Sequence, residues 1–231
     1  MWAMSHFALP FPDCPNPFAS RFVRPGAMVY RDPKTLMTVD VDCLLAELES
    51  VRRAAIVGDH GTGKSTLLHT IAAQLESQYP EGRWVQLTRD NGFPFAERCR
   101  EVVANVRVTL REQKSLVDGG VLVIDGAEQL PAWVRAVIAK RTQQRGQACL
   151  ITTHRPVKRF KTIFQTALDH KLIEFLVTQL TTDCSDPELI ASVRERIKRP
   201  IDNARELWSD LYDDFELRTS TRNKGDRWPS V

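Results

Sequence analysis

Apolar and polar positions change their period along the chain, and these changes predict alternating helices and strands. Apolar residues at helical spacing predict an amphipathic helix over residues 39–50. Short apolar runs predict five strands, at residues 54–57, 83–87, 121–125, 148–152 and 172–180. Helix-forming stretches between them lie at residues 66–79, 96–117, 131–145 and 161–168. This alternation predicts an α/β fold with a parallel five-stranded sheet and helices on both faces.

Both ends of the chain differ from this alternating pattern. Residues 8–35 hold six of the thirteen prolines, which predicts an extended N-terminal arm over residues 1–38. Two helices are predicted at residues 186–198 and 201–217, with no strand after them. The chain is therefore predicted to comprise the arm, an α/β core over residues 39–182, and a two-helix C-terminal appendage over residues 183–231 with a frayed tail.

A glycine-spaced turn joins the first predicted strand to the helix that follows it. Gly58, Gly63, Lys64 and Ser65 fit the pattern G-x-x-x-x-G-K-[ST]. Glycine allows positive φ, so consecutive backbone N–H groups can face an anion at a helix N-terminus. The lysine adds charge for β- and γ-phosphates, and the serine hydroxyl is the expected magnesium ligand. The predicted nucleotide-binding residues of this loop are Gly58, Asp59, His60, Gly61, Thr62, Gly63, Lys64, Ser65 and Thr66.

The loop resembles the Walker A loop of the P-loop NTPases, and Asp125, at the end of VLVID, is similar to their Walker B aspartate. The resemblance implies that Asp125 and Ser65 hold Mg²⁺. One strand lies between the two motifs, which resembles the additional-strand ATPase branch and implies a three-layer fold with sheet order 5-1-4-3-2. The sequence contains no N/T-K-x-D motif of the guanine-specific members. ATP and Mg²⁺ are therefore the expected cofactors.

The residues after Asp125 depart from the pattern of hydrolytic members, which commonly place a glutamate next. Here the chain reads Asp125, Gly126, Ala127, Glu128, and glycine cannot activate water. Glu128 could reach the water from the next turn, as acids of the D-G-x-D-E pattern do in NACHT-type ATPases, provided that it comes within ~3 Å or acts through a second water. Alternatively, Glu128 is a helix-start carboxylate and hydrolysis is slow. We predict Lys64 and Glu128 as the catalytic residues of a slow ATPase that acts as a switch.

Two further stretches resemble parts of AAA-type ATPases. Thr152, Thr153 and His154 end the fourth strand, at a place similar to sensor 1, which implies that Thr153 or His154 contacts the γ-phosphate. Residues 202–207 resemble the sensor-2 stretch, which implies that Arg205 leans over the phosphates, where a guanidinium stays charged. Alternatively, Arg205 pairs with its acidic neighbours on an exposed helix face.

The aromatic residues of the arm allow two interpretations. Phe11, Phe18, Phe22 and Tyr30 could form an apolar strap over the core. The resemblance to P-loop proteins also places this segment near the nucleotide base, where Phe22, Arg24 or Tyr30 could contact the purine. The sequence leaves both open.

Positive charge is concentrated in one part of the chain. The net charge is only +3, yet residues 129–168 contain no Asp or Glu. They contain eight cations: Arg135, Lys140, Arg141, Arg145, Arg155, Lys158, Arg159 and Lys161. A nucleic acid or an acidic protein could bind this 135–161 face. The alternative functions are accordingly a nucleotide-regulated nucleic-acid-binding module and, third, a small-molecule phosphotransferase.

Cysteine usage and hydropathy bear on location. The five cysteines are odd in number and form no C-x-x-C pair, which favours reduced thiols in a cytoplasmic protein. No apolar run approaches the ~20 residues of a membrane span, and the first residues lack the pattern of a secretory signal.

Overall fold

The computed structural model describes residues 15–88, 92, 94–184 and 186–225, the last five of these by their backbone alone. Phe11 of the predicted arm and the end of the predicted tail lie outside the described residues. The strands are β1 Arg53–Val57, β2 Arg83–Gln86, β3 Val121–Asp125, β4 Ala148–Thr153 and β5 Lys161–Gln165. The helices are α1 Ser20–Val23, α2 Val41–Val51, α3 Lys64–Gln78, α4 Phe95–Ser115, α5 Ala132–Gln144, α6 His170–Leu180, α7 Pro187–Ile197 and α8 Ala204–Gly225, with a 3-10 turn at Ala127–Gln129.

The five strands form one sheet in the order β2-β3-β4-β1-β5, and every neighbouring pair is parallel. This confirms the predicted fold class and the predicted order 5-1-4-3-2. Val57 aligns with Thr153 and Gln86 with Asp125, so the carboxyl ends of β1 to β4 lie along the same edge. Ligands of open α/β sheets bind at this edge.

Each face of the sheet is covered by an apolar layer. Leu48 of α2 and Ile71 of α3 pack with Ile56 on one face, and all three are fully buried. Ile138 of α5 packs with Ile124 on the other face. Fully burying a side chain of this size contributes roughly 1.5–3 kcal/mol. The two layers hold the strand ends, and hence the loop after β1, in a fixed arrangement.

The chain after β4 differs from its sequence prediction at two elements. The helix predicted at residues 161–168 is wrong, because this segment is the edge strand β5, which pairs with β1. The strand predicted at residues 172–180 is also wrong, because this segment is helix α6. The Asp169 side chain accepts a hydrogen bond from the Lys171 amide and so caps the helix. The buried residues Ile173 and Val177 follow at helical spacing.

Helices α6, α7 and α8 share a third apolar cluster, which also includes the arm. Phe18 is 1% exposed within it and stacks on Trp208 with ring centroids 6.4 Å apart. At the other end of the same segment, the Tyr30 amide donates to Thr70 Oγ1 of α3 at 2.8 Å. Residues 16–30 therefore link the C-terminal helices to the α/β core. The domain limits at residues 38 and 182 remain predictions. The predicted limit at residue 182 assigns α6 to the core, although α6 packs with α7 and α8, which follow that limit.

In the described part of the chain, no helix combines the length and the apolar character that a membrane span requires.

Candidate phosphate-binding site

The loop between β1 and α3 has the strand–turn–helix arrangement that the sequence predicts. Gly61 and Gly63 have φ values of 72° and 92°, a left-handed conformation that favours glycine. Gly63 immediately precedes α3, a helix of 15 residues, and no side chain caps this helix start. The first N–H groups of a helix have no partner within it, so the start of α3 offers donors to an anion.

Lys64 is the first residue of α3, and its ammonium is bonded to the loop. Nζ donates to the carbonyls of Gly58 and Asp59 at 2.6 and 2.7 Å and lies 3.3 Å from His154 Nδ1. Burial lowers the pKa of Lys64, and the negative charges of Glu128 and Asp125 oppose this shift. An ammonium group has three donors, and two of them bond to loop carbonyls here. The third faces His154 Nδ1, which accepts it only in the tautomer that leaves this nitrogen without a proton.

Asp125 lies at the carboxyl end of β3 and is 6% exposed. Thr152 of β4 donates its hydroxyl to Asp125 Oδ1 at 2.7 Å and accepts from the Gly126 amide at 2.7 Å. The sequence places Thr152 at the predicted sensor-1 position with Thr153 and His154, but it does not predict this hydrogen bond to Asp125. The predicted sensor Thr153 donates its own hydroxyl to the Arg155 carbonyl at 2.9 Å. Thr152 is thus the threonine that orients the acid.

Glu128 lies on the 3-10 turn after β3 and reaches the loop through His154. Its Oε1 is 3.0 Å from His154 Nε2, and His154 Nδ1 is 3.2 Å from the Gly58 carbonyl oxygen. Glu128 Oε2 is buried and has no hydrogen-bond partner among the described residues. The His60 ring lies 3.8 Å from the His154 ring, and burial, followed by the charges of His154 and Lys64, lowers the pKa of His60. The site therefore contains one carboxylate oxygen that has no hydrogen-bond partner among the described residues.

Gly126 occupies the position of the glutamate that hydrolytic P-loop ATPases place after the acid. Its φ is 86°, and a Cβ atom there would lie 2.6 Å from the Leu87 carbonyl oxygen. The Leu87 amide in turn donates to the Asp125 carbonyl at 2.8 Å, which fixes this backbone close to β3. The glycine is thus required by the packing of backbone against backbone.

The start of α8 lies directly against the loop. A Cβ atom at Gly61 would be 2.0 Å from Asn203 Oδ1 and 2.9 Å from the Ala204 amide nitrogen. Asn203 also begins the helix, since its Oδ1 accepts from the Arg205 amide at 3.0 Å and its Nδ2 donates to Glu206 Oε1 at 2.9 Å. Asn203 is a residue of the site that the sequence analysis did not single out.

Arg205 is exposed at this helix start, and its charge contributes to lowering the pKa values of Lys64 and His60. Among the described residues, Arg205 forms no ion pair with Asp202 or Glu206. The structure therefore brings the predicted sensor-2 arginine within electrostatic reach of the loop.

We expect Gly61→Ala to destabilise the fold by about 2 kcal/mol, because a left-handed conformation costs a side chain about 1–2 kcal/mol and Asn203 must also move. Denaturant unfolding measures this cost. Gly119→Ala is the matched control, since Gly119 has a φ of 78° and no atom within 4 Å of a Cβ built there. Equal costs at the two positions would show that the α8 contact contributes nothing.

The predicted metal site is not a cluster of the usual ligating side chains. Among the described residues, no three His, Cys, Asp or Glu side chains are grouped to hold a metal ion. Mg²⁺ commonly takes one or two protein oxygens together with water and phosphate oxygens. Ser65, in the first turn of α3, and Asp125 fit that smaller requirement in oxygen chemistry.

Comparisons with known proteins find similarity to solved structures, among them two of the replication initiator DnaA. No protein-family model matches the chain, and neither does any curated protein. The chain is similar to the replication initiator DnaA bound to AMPPCP and single-stranded DNA, with 14% identity and a TM-score of 0.48 over 80% of this chain and 64% of that one, less than two thirds of its length. It is also similar to domain III of the Thermotoga maritima replication initiation protein DnaA, with 12% identity and a TM-score of 0.49 over 87% of this chain and 90% of that one.

Both TM-scores lie below 0.5, so the ligands named for DnaA are stated of DnaA and carry no argument about this chain. The sheet order and the loop between β1 and α3 are features of this chain itself. On these features, the fold is that of a three-layer P-loop NTPase.

Proposed function

We propose that the chain binds ATP with magnesium through residues 58–66 and hydrolyses it slowly, as a nucleotide-driven switch. The observation that carries this proposal is the position of Lys64. It stands at an uncapped helix start, and the carboxylates of Glu128 and Asp125 are close enough to influence its pKa. A cation, helix N–H donors and acids are the groups that a magnesium-bound triphosphate requires.

Ser65 and Asp125 would hold the magnesium ion. When bound, the ion neutralises charge on the phosphate oxygens and helps to orient the γ-phosphate. The hydrogen bond from Thr152 fixes one oxygen of Asp125, and it holds the carboxylate at the edge of the sheet. Thr152 is therefore a positioning residue, since it acts through Asp125.

Glu128 is the general base in this proposal. Its Oε2, which has no partner among the described residues, accepts a proton from water as the water oxygen bonds to the γ-phosphorus. The bond from that phosphorus to the bridging oxygen breaks, leaving ADP and phosphate. Oε1 lies 3.0 Å from His154 Nε2, although this nitrogen forms no hydrogen bond among the described residues. The Lys64 ammonium already bonds to two loop carbonyls, and a rearrangement of these bonds on phosphate binding would be consistent with a slow reaction.

The contact between the loop and α8 supports the switch. Asn203 touches Gly61, so a nucleotide that changes the loop also acts on the start of α8. Arg205, one helical position further, is the proposed γ-phosphate sensor together with Thr153 or His154. Movements of helical lids around a bound phosphate are a common output of nucleotide sites.

Titration of the protein with Mg·ATP in a calorimeter tests the binding proposal. Lys64→Ala is expected to weaken binding roughly 10- to 150-fold, because a hydrogen bond to a charged group is worth about 1.5–3 kcal/mol. Lys34→Ala, at an exposed position with no contact to the loop, is the matched control and should bind as the wild type does. Absence of binding heat in the wild type, or equal affinity in Lys64→Ala, would overturn the proposal.

A further inference from the structure

The eight cations of residues 129–168 do not form one surface. Three of them have partners within the fold. Arg135 donates to the Leu130 and Ala127 carbonyls, Arg145 pairs with Asp118 at 2.6 Å, and Lys161 pairs with Glu47 at 3.0 Å. The other five have no carboxylate partner among the described residues, and all are exposed: Lys140, Arg141, Arg155, Lys158 and Arg159.

Arg159 lies at the edge of the sheet where β1 begins, opposite the edge that carries the loop, and Lys158 directly precedes it in the chain. Arg53, the first residue of β1, donates from Nε to the Arg159 carbonyl at 3.2 Å and from Nη1 to Gln143 Oε1 at 3.0 Å. Lys140 precedes Gln143 by three residues on α5, so both lie along the same side of that helix. We call Arg53, Lys140, Lys158 and Arg159 the basic edge.

The backbone of Arg159 is in an unfavourable conformation. Its φ of 72° is left-handed, which costs a residue with a side chain roughly 1–2 kcal/mol and costs glycine almost nothing. The Arg159 carbonyl holds Arg53, but glycine would supply the same carbonyl. Among the described residues, its exposed guanidinium forms no hydrogen bond or ion pair that would offset this cost. Backbone strain of this kind concentrates at functional positions.

The surroundings of the basic edge favour a nucleic acid over a protein partner. No large hydrophobic side chain is exposed in β1, in residues 140–144 or in residues 155–161. Protein interfaces normally have an apolar centre, whereas contacts to a phosphate backbone require only cations and other hydrogen-bond donors. We propose that the basic edge binds the phosphate backbone of nucleic acid without reading its sequence. This surface lies at the opposite edge of the sheet from Lys64. The proposal of nucleic-acid binding is therefore independent of the proposal of nucleotide binding.

Fluorescence anisotropy with a labelled 20-base-pair duplex of arbitrary sequence tests the proposal, with potassium chloride varied from 50 to 200 mM. Four phosphate contacts predict a slope of log affinity against log salt of about −3.6, which is a loss of roughly 100-fold across this range. An affinity that does not change with salt would overturn the proposal.

Arg159→Gly is the most informative variant, because it removes the positive charge and also removes the cost of a left-handed conformation at this position. We expect the slope to become shallower by about 0.9 while the unfolding midpoint stays equal or rises. The double variant Lys140→Gln, Lys158→Gln should reduce the slope by about twice as much. Lys34→Gln removes one exposed charge elsewhere and should leave binding unchanged. Unchanged binding in Arg159→Gly, or equal weakening in Lys34→Gln, would contradict the assignment.

Two more measurements separate the alternatives. Lys64→Ala removes the lysine of the proposed nucleotide site and should bind the duplex as the wild type does. If this variant lost affinity for the duplex as well as for ATP, the basic edge would not be a separate site. Poly-glutamate should compete only weakly with the duplex. Equal or stronger competition would assign the surface to an acidic protein partner instead.

Discussion

Glu128→Gln is expected to bind Mg·ATP as tightly as the wild type and to lose roughly 10²- to 10⁴-fold in turnover, the usual contribution of a general base. The amide of glutamine cannot take a proton from water at neutral pH. Its oxygen can still face His154 Nε2, which lies 3.0 Å from Oε1 in the wild type, so the geometry of the site is expected to persist. Phosphate release measured in a single turnover reports the chemical step, and calorimetry reports the binding.

Glu76→Gln is the matched control for this experiment, since Glu76 is exposed on α3 and contributes nothing to the site. It should be unchanged in both measurements. If Glu128→Gln turned over ATP as fast as the wild type, the catalytic role of Glu128 would be wrong while the role of Lys64 in binding would stand. If Glu128→Gln lost binding as well, Glu128 would instead be part of the structure of the loop.

Phe18→Ala is expected to cost about 3–5 kcal/mol of unfolding free energy, the usual range when a buried Phe is truncated. The ring stacks on Trp208 inside the cluster of α6, α7 and α8, and its removal leaves a cavity there. Asn16, two residues earlier, donates to the Tyr212 carbonyl and to Glu216 Oε1 of α8. Loss of the ring should therefore loosen the arm as well as the helices. Equilibrium unfolding in urea measures the cost.

Phe22→Ala tests whether burial accounts for that cost. Phe22 belongs to the same arm and to α1, but 37% of it is exposed and Arg21 stacks on its ring. We expect this variant to lose less than about 1 kcal/mol. A similar loss in both variants would mean that the arm is held by its backbone rather than by Phe18.

The parts of the molecule that sequence predicts well are those whose chemistry is local. Positive φ at Gly61 and Gly63, the lysine that follows and the apolar strand before them are encoded within one short stretch. Asp125 is equally easy to predict from the sequence. A strand that is buried along its whole length is a continuous apolar run, and the acid that ends this run marks the carboxyl end of the strand.

The exchange of strand and helix after residue 160 shows where pattern alone fails. β5 is an edge strand that is buried at no position, so its side chains show no alternation of apolar and polar residues. The apolar run of α6 has a length compatible with a strand or a helix. Asp169 was the available signal, since an acid directly before such a run favours a helix start.

The contacts of the site that the sequence does not predict depend on the tertiary structure. Asn203 touches Gly61 only because the C-terminal helices return to the loop, and Thr152 touches Asp125 only because β3 and β4 are adjacent. The distribution of charged residues along the sequence also overstates the number of unpaired cations, because ion pairs form between residues that are distant in the chain. It did not reveal that Arg145 and Lys161 already have acidic partners elsewhere in the chain.

The carbonyl of Leu87 lies so close to Gly126 that a single substitution of this glycine by glutamate is not tolerated without a backbone shift. Introducing a glutamate directly after Asp125 would require the end of β2 to move away from β3, because the new side chain would begin 2.6 Å from that oxygen. Faster turnover would have to evolve, or be engineered, through the 3-10 turn that carries Glu128. In the proposed function, the lifetime of the ATP-bound state would depend on this turn, so a change in the turn would alter the timing of the switch and leave the loop of residues 58–66 as it is.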